Sequence, residues 1–431
     1  MELASAEIKK IIREQRETFL AQEQGTKREL LSRVETKIEL PHAIIIHGLR
    51  RAGKSTFMRQ IAAEYYEPED YYFLNFEDER LINIEVTDLD KIYQYLMEEY
   101  GKRSVLFLDE IQHIEEWERF IRRLHDQDIK FYLTGSNAHL QESSWAKKLT
   151  GRHQTLGLLP FSFSEYLRFH DYSIPEHLET LTTEETAELR SYFENYLRFG
   201  GLPLYWKYKD IDLLSDIYHD VIFRDVISRN GIKKIDDLRE LALYLLSNVA
   251  SLFTYNNLAN RLGISSTETV RQFISHLKES WLFHTVKRFD YSVARQRQNP
   301  RKIYCVDNGL IEATVFRFSE DRGQYLENLV FLELKRRNKE IFYFKTEAGK
   351  EVDFLVRQGT DITNLIQVAY EFKSQATVER ELEALEGGMK ELGVEKGTIL
   401  TASEETTQFE TKKNISIIPV WKWVLEEEVK D

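Results

Sequence analysis

The sequence predicts an α/β protein in which a parallel sheet is followed by a helical and winged-helix region and then by a second α/β unit. Between residues 37 and 172, short apolar runs alternate with helical patterns, as in a parallel sheet covered by helices on both faces. A helix, a turn at Gly263, a second helix and two strand-like runs then follow the winged helix-turn-helix pattern. The α/β pattern returns after residue 309.

Length and charge restrict the possible classes of protein. The 431 residues exceed one ordinary domain of about 150. A formal net charge of −13 argues against coating nucleic acid by bulk charge, so any DNA site has to be local. The single cysteine, Cys305, cannot form an intrachain disulfide, and no apolar run approaches the roughly 20 residues that span a bilayer. We therefore expect a cytoplasmic protein with no membrane partner.

Five regions are predicted in chain order. Residues 1–36 form a helical N-terminal arm, 37–172 the α/β core, 173–245 a helical connector, 246–308 the winged helix and 309–431 the second α/β unit. Core strands are expected at 43–48, 71–76, 104–110 and 130–136, with helices at 54–65, 89–99, 115–126 and 139–150. In the last region we expect helices at 324–337 and 378–391 and strands at 341–345, 351–357, 364–370 and 397–401.

Residues 48–55 carry the pattern Gly-x4-Gly-Lys-Ser directly between the first predicted strand and a helix. This context is the one in which a glycine-rich loop cradles phosphates with its backbone N–H groups and a helix N-terminus. Lys54 is predicted to reach the β and γ phosphates of ATP, and Ser55 to bind Mg²⁺. The residues predicted to bind the nucleotide are Gly48, Arg51, Ala52, Gly53, Lys54, Ser55 and Thr56.

An acidic pair ends the strand at 104–110. Asp109 is predicted to hold Mg²⁺, and Glu110 to polarise the attacking water as a general base. The next strand ends in Thr134, Ser136 and Asn137, which could sense the γ phosphate or orient water. Capping of the following helix is the alternative role for these polar groups.

Four segments resemble a prokaryotic family of AAA+ ATPases fused to a C-terminal region of poorly defined function. They are GLRRAGKS, LDEIQ, LTGSN and LTGRHQTLGLLPFSFSEYL, and they occur in the order of the family. The resemblance implies the strand order 5-1-4-3-2, with the fifth strand beginning near His153. It also implies that Arg152 is an arginine finger acting on a neighbouring subunit, and hence a homo-oligomer, with a hexameric ring as the family-level expectation. A surface arginine that caps the helix 139–150 is the alternative.

Basic residues concentrate between positions 287 and 302, a segment that contains six of them and only one acidic residue, Asp290. In a winged helix this segment is the wing, and it would contact DNA phosphates, which position the protein rather than specify sequence. DNA recognition by structure rather than sequence is therefore expected, with protein–protein packing as the alternative. The predicted DNA contacts are Lys287, Arg288, Arg295, Arg297, Arg301 and Lys302.

The C-terminal unit resembles the restriction-endonuclease-like PD-(D/E)XK core. Glu327 on a helix and Asp353 on a strand match its first two carboxylates, which gather Mg²⁺ in that core. The Glu-x-Lys pair is replaced by Gln367-Val-Ala369, although Glu371-Phe-Lys373 lies nearby. We therefore expect a degenerate nuclease site in a domain used for binding or assembly, with an active nuclease as the alternative.

Two functional hypotheses follow from the sequence. The first is an ATP-hydrolysing protein that binds DNA and uses turnover for remodelling, translocation or branched-DNA processing. The second is a nucleotide-dependent switch or defence-type protein whose C-terminal domains bind a protein partner.

Overall fold

The computed structural model describes residues 5–135, 149, 151–315, 322–371, 375–402 and 414–426. The chain divides into two compact units. The first comprises Met1–Leu159 with Glu279–Trp281, and the second comprises Pro160–Lys278 with Leu282–Asp431. The predicted helix at 139–150 lies almost wholly outside the described residues.

The described part of the first unit is built on a five-stranded parallel sheet with the order β2-β3-β4-β1-β5, which confirms the predicted order 5-1-4-3-2. The strands are β1 (Ala43–His47), β2 (Tyr71–Asn75), β3 (Val105–Asp109), β4 (Lys130–Gly135) and β5 (His153–Gly157). The helices are α1 (Ser5–Ala21), α2 (Ser32–Ile38), α3 (Lys54–Tyr65), α4 (Leu89–Tyr100) and α5 (Glu118–His125). The central strands are apolar and almost wholly buried, as expected for a sheet covered on both faces.

The N-terminal arm packs into this unit. Ile8, Ile11 and Ile12 join the core on one face of the sheet, whereas Phe19 stacks on Phe73 on the other face at a ring-centroid distance of 3.9 Å. The arm is not one continuous helix, because α1 ends at residue 21 and α2 begins at residue 32. The segment between these two helices is held by Gln60, whose side-chain amide donates to the backbone oxygens of Gln24 and Thr26.

A single eight-stranded mixed sheet runs through the second unit, with the order β13-β12-β11-β10-β9-β7-β8-β6 among the described residues. Its strands are β6 (Leu252–Phe253), β7 (Phe283–Arg288), β8 (Arg301–Cys305), β9 (Glu340–Lys345), β10 (Glu351–Gln358), β11 (Asp361–Ala369), β12 (Gly397–Thr401) and β13 (Ile415–Pro419). Because β7 pairs in parallel with β9, the predicted regions 246–308 and 309–431 share one sheet.

Helices flank this sheet and precede it. They are α6 (Phe163–Phe169), α7 (Thr183–Phe199), α8 (Pro203–Tyr208), α9 (Asp212–Asp220), α10 (Ile235–Ser247), α11 (Tyr255–Arg261), α12 (Thr267–Glu279), α13 (Val293–Gln298), α14 (Asn308–Thr314), α15 (Arg322–Arg336), α16 (Gln375–Leu392) and α17 (Val420–Leu425). A π-helical stretch, Val221–Ser228, follows α9. Gly263, with φ +64°, lies between α11 and α12, and the antiparallel pair β7–β8 follows them. Within the described ranges, no helix is both long enough and apolar enough to cross a bilayer.

The turn after α7 is held by a buried carboxylate. Asp307 accepts hydrogen bonds from the backbone N–H groups of Gly201 at 2.7 Å and Gly309 at 2.9 Å. Gly200 has φ +69°, and a Cβ atom there would lie 2.0 Å from the Asp307 Oδ1 atom. Burial raises the pKa of Asp307 to about 7, although the backbone donors oppose this shift.

Candidate functional site

The glycine-rich loop leaves the C-terminal end of β1 and enters α3. At Gly48 a Cβ atom would lie 2.2 Å from the backbone oxygen of Leu158, so only glycine fits without a shift of the backbone. Gly53 precedes α3 with φ +94° and ψ 29°, and Arg51 also has a positive φ, 64°. This backbone turns sharply and presents the start of α3, which is where anions bind at helix N-termini.

Lys54 lies inside the curve of this loop. Its Nζ atom donates to the backbone oxygens of Gly48 at 3.3 Å and Leu49 at 3.1 Å, and it lies 4.0 Å from the Glu110 Oε1 atom. Its side chain is 5% exposed. The ammonium group is thus already held within the loop, beside the acidic pair at the end of β3.

Asp109 ends β3 and is buried. Its carboxylate accepts hydrogen bonds from the hydroxyl groups of Thr134 and Ser55. Burial and the neighbouring Glu110 raise the pKa of Asp109 to about 6, and these two hydroxyls and Lys54 limit the increase. Ser55 on α3 and Asp109 on β3, which the sequence predicted as metal-binding partners, are therefore in direct contact.

Glu110 has a left-handed backbone, with φ 51° and ψ 42°. Its backbone N–H donates to the Thr134 Oγ1 atom at 2.9 Å, and its carboxylate accepts a hydrogen bond from the Gln112 amide. Thr134 therefore joins both acidic residues, whereas Ser136 and Asn137 lie outside the described residues. The contact with Gln112 was not predicted, although Gln112 is part of the quoted LDEIQ segment.

The site fits a nucleotide with Mg²⁺. Position 48 has no room for a side chain, and the Lys54 ammonium can pair with phosphate oxygens. The Ser55 hydroxyl and the Asp109 carboxylate supply the hard oxygen ligands that Mg²⁺ prefers. Two further predicted residues are close by. Ala52 is buried in the loop, and Thr56 on the first turn of α3 accepts a hydrogen bond from Arg59.

Sequence reasoning missed Arg28, which is 5% exposed in the segment between α1 and α2. Its Nη1 atom donates to the Ala52 backbone oxygen at 3.0 Å, and its Nη2 atom donates to the Leu159 backbone oxygen at 2.5 Å. The guanidinium group thus joins the phosphate loop to the segment after β5. An isolated arginine in a charged region carries no signal in the sequence that would indicate this role.

A cavity of about 700 Å³ opens beside Ser55 and Asp109. Part of its wall comes from α1, including Gln15 and Phe19, and part from the segment after β2, including Asp78. The N-terminal arm, predicted only as a helix, therefore helps to shape the surroundings of the candidate metal ligands.

Arg152 lies at the other end of the sheet. Ala43 pairs with His153 and His47 with Gly157, so Arg152 is about five residues, or roughly 16 Å, from the end of β1 that carries the loop. Its Nη1 atom forms an ion pair with the Asp126 Oδ1 atom at 2.6 Å, and its side chain is 43% exposed. Arg152 therefore cannot reach the loop of its own subunit, and its action on a neighbouring subunit stays a prediction.

The basic segment of the second unit divides into an exposed set and an inner set. Lys287, Arg295 and Arg297 are exposed, and half-buried Arg301 lies over the Tyr255 ring at 5.4 Å. Arg271 on α12 lies over the same ring at 4.7 Å, so α12 and β8 contribute to one basic surface. Half-buried Arg288 donates to the backbone oxygen of Lys345 at 3.0 Å.

The prediction that Lys302 contacts DNA is wrong in this structure, because Lys302 points inward from β8. Its side chain is 2% exposed, and it forms ion pairs with Glu327 and Asp353, both predicted in the degenerate nuclease site. Gln367 is also there, since its Oε1 atom accepts a hydrogen bond from the Asp353 backbone N–H at 3.3 Å. The structure therefore brings these three predicted residues together and adds a lysine to them.

Family models match most of the chain. An AAA domain covers residues 41–167, a domain of unknown function (DUF8612) covers 190–321, and a second domain of unknown function (DUF4143) covers 322–423. The AAA match and the strand order of the first unit agree with the resemblance seen in the sequence. The two other models have no assigned function.

Two relatives are uncharacterized proteins. MJ1544 of Methanocaldococcus jannaschii is 33% identical over 411 residues, which cover 91% of this chain and 90% of that protein. A Haemophilus influenzae protein is 27% identical, with 76% and 82% covered. The solved structure of the Thermotoga maritima RuvB Holliday junction branch migration motor aligns at 17% identity over 64% of this chain and 89% of its own, with a TM-score of 0.27. The first unit is thus an AAA-type α/β domain, and the chain belongs to the family of AAA-domain proteins that includes MJ1544.

Proposed function

We propose that this protein hydrolyses ATP at the loop of its first unit and uses turnover to remodel DNA bound by its second unit. The observation that carries the proposal is the convergence of Lys54, Ser55, Asp109 and Glu110 at one edge of the parallel sheet. Ligands of open α/β sheets bind at this carboxyl edge.

Each of these residues has a distinct role in hydrolysis. The Lys54 ammonium binds phosphate oxygens and stabilises the charge that develops on them. Glu110, held by Gln112, accepts a proton from the attacking water. Ser55 and Asp109 would hold Mg²⁺, which supplies positive charge to the phosphates when it is bound.

The exposed basic surface supports DNA binding. Arg301 and Arg271 both lie over the Tyr255 ring, and Lys287 pairs with Arg301 on the neighbouring strand. Arg295 and Arg297 are exposed on α13, in the segment between these two strands. Cations on such a surface pair with phosphates in any sequence, which favours recognition of DNA structure over base sequence.

Assembly of several copies is the third part of the proposal. Arg152 is too far from its own loop, and it is exposed enough to reach another chain. An arginine that meets the transition-state charge from outside can increase the rate by about 10³ or more. A homo-oligomer, with a hexameric ring as one arrangement, would provide that contact.

The nucleotide site is tested by ATP turnover and ATP binding. Lys54→Ala and Glu110→Gln should abolish turnover, and Glu110→Gln should still bind ATP. Lys27→Ala and Glu64→Gln, which remove an exposed ion pair of 2.9 Å, serve as matched controls. Wild-type turnover in both site variants would refute the site assignment.

The DNA role is tested by turnover in the presence of single-stranded, duplex and branched DNA. The triple variant R295A/R297A/R301A should lose the stimulation and lower the slope of log affinity against log salt by about 3 on duplex DNA. The control R190A/K207A/K390A removes the same charge from other exposed positions of the second unit. The remodelling role would be refuted if none of these DNAs changed the rate of ATP turnover. Retention of a protein partner that is insensitive to salt would then favour the switch hypothesis.

A further inference from the structure

The strongest unexplained feature lies inside the second unit, where one buried ammonium group faces several carboxylates. The Lys302 Nζ atom lies 2.9 Å from Glu327 Oε1, 2.8 Å from Glu351 Oε1 and 2.8 Å from Asp353 Oδ1. These groups come from β8, α15 and the start of β10. We call Glu327, Glu351 and Asp353 the carboxylate cluster.

The ammonium group has as many N–H donors as the cluster has carboxylates. A lysine ammonium carries three N–H donors and no acceptor, so each carboxylate of the cluster can accept one of them. Burial alone would lower the pKa of Lys302, but Asp353 and Glu327, with smaller contributions from Tyr304 and Glu351, raise it well above its usual value. The Lys302 ammonium group thus lies at the centre of the cluster, within 2.9 Å of an oxygen of each carboxylate.

The surrounding groups hold the carboxylates in place. Glu327 also accepts from the Tyr304 hydroxyl at 2.7 Å, and the Asp353 Oδ2 atom accepts from the Val368 backbone N–H at 2.9 Å. The Gln367 amide donates to Glu381 at 2.7 Å. The Glu327 Oε1 atom is therefore shared by Tyr304 and Lys302, whereas Asp353 turns Oδ2 to the Val368 backbone and Oδ1 to the Lys302 ammonium.

Buried carboxylates require a cation, because their desolvation is costly without one. In proteins, Mg²⁺ or Ca²⁺ supplies that charge through carboxylate oxygens. Within the described ranges, no group of three or more acidic, histidine or cysteine side chains is arranged to hold a metal ion. The carboxylates of this cluster instead converge on a side chain of the same chain.

We propose that Lys302 is a tethered cation that occupies the position of a divalent metal, so that this unit works without metal and does not cleave DNA. The ion pairs of Lys302 also bear on the basic surface, because the same strand carries Arg301 next to Lys302. The inward ion pairs hold β8 against α15 and β10, and they thereby fix the position of the outward arginine.

The test is removal of the lysine, followed by Mn²⁺ titration of the full-length chain with calorimetry and thermal unfolding. Lys302→Ala should unfold at a lower temperature than the wild type, bind one additional equivalent of Mn²⁺ and recover thermal stability when Mn²⁺ is added. Lys390→Ala removes an exposed lysine from α16 of the same unit and should match the wild type in Mn²⁺ binding and thermal unfolding. Any Mn²⁺ bound at the nucleotide loop is common to all variants, so only the difference between them is diagnostic.

A second variant and the wild-type chain keep the test decisive. K302A/D353N should lose the additional equivalent, and K302A/E351Q reduces the uncompensated charge if Lys302→Ala fails to fold. A folded lysine variant with no additional Mn²⁺ would overturn the proposal. An equivalent bound by the wild type and lost in Asp353→Asn, or Mg²⁺-dependent DNA cleavage lost in that variant, would also overturn it. If no lysine variant folds, the absence of such an equivalent and of cleavage in the wild type supports it.

Discussion

Replacing Arg28 with methionine should destabilise the protein and weaken nucleotide binding together. The change removes the hydrogen bonds from the guanidinium group to the backbone oxygens of Ala52, at 3.0 Å, and Leu159, at 2.5 Å. Hydrogen bonds from a charged donor contribute about 1.5 to 3 kcal/mol each. Methionine keeps the length and the apolar contacts of the side chain but leaves both carbonyl groups without this donor. Because desolvation of the guanidinium group is also relieved, we expect the free energy of unfolding to fall by about 3 to 5 kcal/mol.

Urea denaturation of the full-length chain, followed by circular dichroism, measures this change. Equilibrium binding of ATP in the Glu110→Gln background measures the effect on the loop without turnover. Arg190→Met replaces an exposed arginine on α7, and it should change the free energy of unfolding by less than about 0.5 kcal/mol. An Arg28→Met variant with the denaturation midpoint and ATP affinity of the wild type would refute the bridging role.

Three further changes test other parts of the structure. Gly48→Ala places a Cβ atom 2.2 Å from the Leu158 oxygen and should abolish ATP binding by displacing the loop, whereas unchanged ATP affinity would contradict the close approach. Gln112→Ala frees the Glu110 carboxylate and should lower kcat about ten- to hundredfold without changing ATP affinity, as measured by steady-state turnover and equilibrium binding. For Asp307, burial raises the pKa from 3.8 to about 7, so the native state favours the protonated form. The free energy of unfolding of the wild type should therefore fall by about 3 kcal/mol between pH 4 and pH 7 relative to Asp307→Asn, and parallel pH profiles in urea would contradict this.

The nucleotide loop could be predicted because its chemistry is contiguous in the chain. Eight consecutive residues contain Gly48, Gly53, Lys54 and Ser55. An apolar strand precedes this segment and a helix follows it, which is the context expected for a phosphate-binding loop. Asp109 could be added because it ends an apolar run, and parallel strands place such ends at one edge of the sheet.

Contacts between distant segments could not be predicted in the same way. Arg28 meets Leu159 across 131 positions of the chain, and no local pattern marks either residue for that contact. Lys302 sits in a basic run, and its neighbours suggested a surface that binds phosphates. Residues of a strand alternate between its two faces, so Lys302 and Arg301 face opposite ways, and only the packing of β8 decides which of the two is buried.

The sequence by itself determined the strands of the first unit, its helices at 54–65, 89–99 and 115–126 to within a few residues, the parallel strand order through the AAA resemblance, and the glycine-rich pattern of residues 48–55. Apolar periodicity and short motifs are local properties of the chain, so they can be recognised from the sequence alone. Tertiary structure alone decided that β7 joins the C-terminal sheet, that Arg28 holds the loop, and that Lys302 faces carboxylates instead of solvent. These features depend on which distant groups share a buried volume, where an unpaired charge is costly and a paired one is retained.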